Sequence, residues 1–108
     1  MKAEYMSVTF EEAKAVMDKE KEYIIIDVRE EEEFITGHAN GAELLPVDNI
    51  NEKTAAELIE SKDMPVMLYC RTGSRSDLAA RKLCSMGYTR VYNLGSLSGW
   101  PYGIVYGW

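Results

Sequence analysis

Six consecutive residues, Tyr23-Ile24-Ile25-Ile26-Asp27-Val28, run without the apolar–polar alternation of a strand that has one wet face. A β-branched run of this kind is expected where both faces are buried, as in a parallel sheet covered by helices on either side. Pro65-Val66-Met67-Leu68-Tyr69-Cys70 is a second such run, with its proline at the edge, where a missing N–H is tolerated. Ala42–Leu45, stopped by Pro46, and Arg90–Leu94 read as shorter strands. Helical patterns lie between them. Thr9 with Glu12 forms a capping box ahead of Ala13, Val16 and Met17. Asn51 caps a stretch carrying Ala55, Ala56, Leu58 and Ile59. From Ser74 or Arg75 to Met86, the residues Leu78, Ala79, Leu83 and Met86 trace one face, and Gly87 supplies the stop. The acidic run Glu30–Glu33 is expected to form one or two exposed helical turns before Gly37. Strands alternating with helices of this length predict an α/β domain with a mainly parallel sheet.

With 108 residues and no internal repeat or linker, the chain is expected to be a single domain over 1–108. Twelve Lys and Arg against eighteen Asp and Glu give a net charge of −6. That balance argues against a sequence-independent nucleic-acid binder, which needs a basic footprint. No apolar stretch approaches the ~20 residues of a membrane span. The opening Met1-Lys2-Ala3-Glu4-Tyr5 lacks the apolar core of a secretory signal. Two cysteines and one histidine build neither a disulfide framework nor a usual zinc site. The expectation is a cytoplasmic, reduced domain with no metal and no cofactor.

The chemistry is concentrated in Tyr69-Cys70-Arg71-Thr72-Gly73-Ser74-Arg75-Ser76. This segment puts a cysteine at the carboxyl end of a buried strand, then a short glycine-containing turn, then a helix start. Ligands of open α/β sheets bind at that edge. The first turn of a helix leaves N–H groups unpaired at the positive end of its dipole. A loop curling around Cys70 aims such groups at the sulfur and forms an anion-binding nest. Arg71 and Arg75 add two cations in an otherwise acidic chain, and every one of these features favours thiolate. A free thiol with pKa ~8.5 is only ~3% ionised at pH 7, and lowering its pKa by ~2 units requires ~2.7 kcal/mol. A helix terminus supplies roughly 0.3–2 kcal/mol, so arginines and loop amides have to contribute. A cysteine after a buried strand is ordinarily a core residue, but an apolar pocket does not call for two cations. Cys70 therefore reads as a nucleophile or as part of an anion site.

Several segments together resemble a single-domain rhodanese. Asp27-Val28-Arg29 with Glu33-Phe34, then Gly37-His38-Ala39-Asn40-Gly41-Ala42 and Pro46-Val47, stand in the order of that family's upstream stretch. Tyr69–Ser76 resembles its active-site loop, and Gly87-Tyr88, Val91–Gly95 and Trp100 resemble its closing strand. The match extends from about Val8 to Trp100. The resemblance implies a five-stranded parallel sheet flanked by helices, and transfer of sulfane sulfur through a Cys70 persulfide. Thiosulfate or a polysulfide would be the donor, and cyanide or a thiol the acceptor. It also implies that Arg71, Thr72, Gly73, Ser74 and Arg75 bind the substrate, with loop amides holding the persulfide. A sulfur-carrier or sensor module that hands its persulfide to a protein partner, with little small-molecule turnover, uses the same loop and is the alternative. A domain that grips an anion without reaction is the least favoured. Cys70 to Arg75 is Cys-x4-Arg. Phosphatases and arsenate reductases of similar design use Cys-x5-Arg, a loop wide enough for a tetrahedral oxyanion, so sulfur transfer is preferred.

Two stretches depart from the family pattern. Gly95-Ser96-Leu97 replaces a Gly-Gly-aliphatic turn, and Ser98-Gly99 lengthens the approach to Trp100, which is expected to reshape a pocket wall and the donor preference. Ala39-Asn40 replaces an aliphatic residue and proline, as a loop variant without chemical weight. His38, the only histidine, is expected to be structural, and Asp27, Arg29 and Glu33 to form mainly scaffold. Cys84 is expected to face the core rather than to resolve a persulfide. Glu30–Glu33 reads as a solvated surface. Trp100, Tyr102, Tyr106 and Trp108 read as cover for a core edge, the alternative being an exposed aromatic patch.

Overall fold

The computed structural model describes residues 4–108; Met1–Ala3, where the single-domain expectation begins, lie outside the described residues. In chain order the elements are β1 (Met6–Ser7), α1 (Phe10–Lys19), β2 (Ile24–Asp27), α2 (Glu31–Ile35), β3 (His38–Ala39), β4 (Glu43–Leu44), α3 (Glu52–Leu58), β5 (Val66–Cys70), α4 (Ser74–Ser85), β6 (Val91–Ser96) and β7 (Ile104–Val105). A 3-10 turn at Val47–Asn49 precedes α3. Five strands form one parallel sheet in the order β1-β6-β5-β2-β4. The α/β class with a five-stranded parallel sheet is thus the one expected. β3 and β7 pair separately as an antiparallel ribbon.

Sequence chemistry accounts for the helix starts. Thr9 Oγ1 accepts from Glu12 N–H and the Glu12 carboxylate accepts from Thr9 N–H, closing the capping box of α1. Asn51 and Thr54 repeat this for α3.

The central strands divide the core into two layers. On one side Ile24, Ile26 and Val28 of the β2 segment join Val66, Leu68 and Cys70 of β5 against Ala79, Ala80, Leu83 and Cys84 of α4. On the other, Ile25, Met67 and Tyr69 pack with Ala13 of α1 and with Trp100. Period-two alternation across a doubly covered sheet places Cys70 and Tyr69 on opposite faces. The apolar face of α4 differs from the one traced in sequence. Leu78 is exposed, and Ser76, Ala79, Ala80, Leu83 and Cys84 are buried. Small residues are needed there because the helix lies close to β5 and β6, and Leu78 falls outside that contact.

β5 and β6 change register where Leu68 faces Asn93 but Tyr69 faces Gly95, so Leu94 is an extra residue on β6. Gly95 takes φ +78°, and its N–H donates to Asn93 Oδ1 at 2.8 Å. The bulge brings Ser96 opposite Cys70.

Candidate functional site

Cys70 ends β5, and α4 begins four residues later with Gly73 as its N-cap at φ +101°. Only glycine adopts that left-handed conformation cheaply, and it lets the chain fold back over the sulfur. The Gly73 N–H donates to Cys70 Sγ at 2.9 Å and the Ser76 N–H at 3.4 Å. Ser76 Oγ lies 3.5 Å from Sγ and donates to the Gly73 carbonyl at 3.1 Å. Burial alone would push the Cys70 thiol up. The Ser76 hydroxyl and the amides of Ser76, Gly73 and Thr72 more than offset it and hold the thiol below its ordinary value. Cys84 has burial without donors, and its thiol is pushed up. The loop closes over its sulfur so that Cys70 is 0% exposed.

The two arginines have different surroundings. Arg75 reaches Glu33 in a two-pronged pair, Nη1 to Oε1 at 2.6 Å and Nη2 to Oε2 at 2.9 Å. The pair, helped by the Glu30 N–H, holds the Glu33 carboxyl down at about 2. Glu33 is therefore not part of a solvated acidic face. Arg71 is exposed and has no ion-pair partner among the described residues. Thr72 and Ser74 are exposed, with their hydroxyls 3.4 Å apart.

Beneath the loop is a buried polar network. Arg29 binds Asp27 through Nη2 and Nε at 2.6–3.1 Å, and Arg29 N–H donates to Asp27 Oδ1 at 2.9 Å. Arg29 Nη2 also donates to the Gly37 carbonyl at 2.7 Å. Tyr69 Oη donates to Asp27 Oδ2 at 2.7 Å and accepts from Ala39 N–H at 3.1 Å. Burial and the adjacent carboxylate push the Tyr69 phenol well up, so it remains a donor. The residue preceding Cys70 is thereby fixed to β2 and β3 at once. His38 is buried; its Nδ1–H donates to the Phe34 carbonyl at 2.9 Å and its ring stacks on Phe34 at 3.6 Å.

A pocket of about 360 Å³ opens beside the loop, lined by Arg29, Arg71, Ser96–Trp100 and Ile104. Leu97 N–H donates to the Cys70 carbonyl at 3.0 Å, and Trp100 N–H to the Leu97 carbonyl at 3.0 Å. Phe10 and Tyr102 hold the Trp100 ring edge-on at 5.2 and 5.0 Å. The aromatic tail is thus divided: Trp100 covers a core edge, whereas Tyr106 and Trp108 are exposed. Ser76 escaped the sequence reading as a residue that touches the sulfur, whereas the Gly95-Ser96-Leu97 turn, expected to shape a pocket wall, does line this pocket through Ser96 and Leu97. For Ser76 the available signal was a small polar residue on the inner face of the first helical turn.

A buried cysteine that accepts from two backbone amides, at the carboxyl edge of a parallel sheet, defines an α/β domain built around a thiol held below its ordinary value. The chain belongs to the rhodanese-like domain family, which it matches over residues 9–101. It is 36% identical to the thiosulfate sulfurtransferase GlpE of Shewanella oneidensis over 87 residues, 78% of this chain and 81% of that protein. The solved structure of a rhodanese with anions from E. coli superposes with a TM-score of 0.72 at 34% identity, covering 79% of this chain and 99% of that one. Longer proteins contain the same domain. A tRNA uridine(34) hydroxylase of Protochlamydia amoebophila is 36% identical over 77% of this chain, which spans only 28% of that protein. The putative sulfur carrier protein YrkF of Bacillus subtilis is 33% identical over 81% of this chain, which spans 45% of it. Among the described residues no helix is long and apolar enough to cross a membrane.

Proposed function

We propose that this single domain is a sulfurtransferase that moves sulfane sulfur from thiosulfate or a polysulfide to cyanide or a thiol through a persulfide on Cys70. The observation that carries this reading is the set of polar groups converging on Sγ: the Gly73 and Ser76 amides donate at 2.9 and 3.4 Å, and the Ser76 hydroxyl lies at 3.5 Å. They stabilise the thiolate before the donor arrives, and they stabilise the terminal anion of a persulfide afterwards. Cys70 thiolate attacks the outer sulfur of thiosulfate. A new S–S bond forms, the old one breaks, and sulfite leaves with the electron pair. An acceptor thiolate or cyanide then takes the outer sulfur and returns Cys70 to thiolate.

Within the substrate-binding segment, Arg71 is the cation that meets the anionic donor, since Arg75 is engaged by Glu33. Thr72, Gly73 and Ser74 shape the loop, and Gly73 supplies an amide directly. Because Cys70 is 0% exposed, the loop must yield slightly for a sulfur atom to reach it.

That closure also favours a second reading, a carrier that accepts and delivers sulfur through a protein partner and turns over small donors slowly. The experiment is to incubate the protein with thiosulfate, remove the donor and record intact mass before and after cyanide. Gain of one sulfur atom, lost as thiocyanate and absent in Cys70→Ser, supports the persulfide. No added sulfur removes thiosulfate as donor. Fast loading from a persulfidated protein with slow turnover of thiosulfate selects the carrier.

A further inference from the structure

Tyr106 and Trp108 lie beyond the stretch that matches the family, 9–101, and they are 74% and 79% exposed. The backbone beneath them is nonetheless fixed. β7 pairs with β3 through Ile104 opposite Ala39 and Val105 opposite His38. The Gly107 N–H, between the two aromatic residues, donates to the Ile35 carbonyl of α2 at 2.8 Å. The Tyr106 ring lies over Gly37, where an added Cβ would meet its Cε1 at 3.2 Å and Ile104 Cγ2 at 3.4 Å. The Trp108 ring tilts against Phe34 at 5.4 Å between centroids. With the exposed Ile35 and Ile104, these rings make one apolar plate at the C-terminal end of α2. Large aromatic side chains on an ordered backbone are what anchors an interface, and a contiguous exposed patch of them marks a contact surface.

The charge beside the plate decides what covers it. Glu31 stands one helical turn before Ile35, so the two share a face of α2, ~6 Å apart along its axis. Glu30, Glu31 and Glu32 are all exposed, and the first two line a groove together with Asp48. None of these four carboxylates has an ion-pair partner among the described residues. A second copy seated on the plate by a twofold axis would bring both sets of glutamates together, in chains of net charge −6. An anionic lipid surface is repelled in the same way. A cationic segment with an apolar side chain satisfies both halves of the surface.

We propose that this plate docks a basic segment of a partner protein, with an apolar side chain against Tyr106 and Trp108 and a lysine or arginine on Glu31. The docking does not depend on the chemistry of Cys70. Ile104 of the same ribbon also lines the pocket beside the Cys70 loop, so a partner seated on the plate stands next to that loop.

The probes are two capped peptides, Arg-Leu-Leu-Arg in three repeats and its counterpart with glutamate for arginine, titrated at physiological salt by calorimetry and tryptophan fluorescence. Trp100 is buried and Trp108 exposed, so a blue shift of the emission reports cover over Trp108. The arginine peptide should bind with that shift, and the glutamate peptide should not. Trp108→Ala should weaken binding by about tenfold or more. Glu31→Lys should weaken it by about fivefold. Glu57→Lys, on the exposed side of α3, changes the net charge equally and should have little effect, since screened charges act only locally. Equal weakening by the two lysine variants, or binding with no blue shift, reduces the attraction to net charge and overturns the proposal. So does failure of the arginine peptide to bind, or equal binding of both peptides. A dimer in sedimentation velocity that Trp108→Ala abolishes makes a second copy the occupant and overturns it. A blue shift on phosphatidylglycerol vesicles, without one on the arginine peptide, does the same in favour of a membrane.

Discussion

Glu33 and Arg75 lie 42 positions apart and meet through two hydrogen bonds of 2.6 and 2.9 Å, joining α2 to the first turn of α4. Glu33 Oε1 also accepts from Glu30 N–H at 3.0 Å, so one carboxylate caps its own helix and anchors the loop helix. The charge of Arg75 is consequently partly neutralised beside Cys70, while that of Arg71 is not.

Glu33→Gln should lower stability by ~1 kcal/mol, because the pair is partly exposed and one charge-assisted prong is lost. The folded-state pKa is depressed from 4.5 to about 2. Its contribution is therefore present above pH 4.5 and is lost as pH falls towards 2. Urea melts of both proteins between pH 7 and pH 2.5 should converge at the acid end.

Absorbance near 240 nm should show a first, thiolate step well separated from the later rise in which the seven tyrosines also ionise. Cys70 ionises first, below the ordinary thiol range, and Cys84 later, above it. Cys70→Ser removes the first step. Ser76→Ala should move it upward, since the hydroxyl is the largest stabilising contributor. An unmoved first step in Ser76→Ala would show that the amides alone set the thiolate.

Gly73→Ala forces a side chain into φ +101° and should cost ~1–2 kcal/mol. Its added Cβ meets only Gly95 Cα, at 3.8 Å, so strain rather than collision is the cause. Relaxation to an ordinary φ would turn the Gly73 amide away from Sγ. The prediction is a higher Cys70 pKa in the same absorbance titration, together with a lower urea midpoint.

Asp27→Asn should destabilise by about 3–5 kcal/mol by leaving the Arg29 guanidinium buried without its carboxylate. Tyr69→Phe should cost less, ~1–3 kcal/mol, from the unpaired Ala39 amide and one lost bond to Asp27. Chemical denaturation ranks the two, and the opposite order would place the weight of the network on the phenol.

Much of this was readable in the chain. The β2 and β5 runs announce themselves because burial on both faces removes all polar alternation, and Thr9–Glu12 marks a helix start by local chemistry alone. The Cys70 loop was equally legible, since strand, glycine and helix follow one another within eight residues. β1, β3 and β7 were not, for each is a two-residue strand whose existence depends on a distant partner rather than on its own pattern. The same reason hid the partner of Arg75. An acidic run reads as surface until the fold brings one of its members against a particular cation.

The extra residue at Leu94 sets a phase. Upstream of it β6 follows β5 residue for residue, and downstream every amide is displaced by one, which is what delivers the Leu97 N–H to the Cys70 carbonyl. Removing a single residue between Asn93 and Ser96 would leave the sheet paired. It would nevertheless slide Ser96 and Leu97, which line the pocket, one step along the strand relative to Cys70. Relatives that differ in length at this point would then share a frame and a nucleophile while reading different molecules.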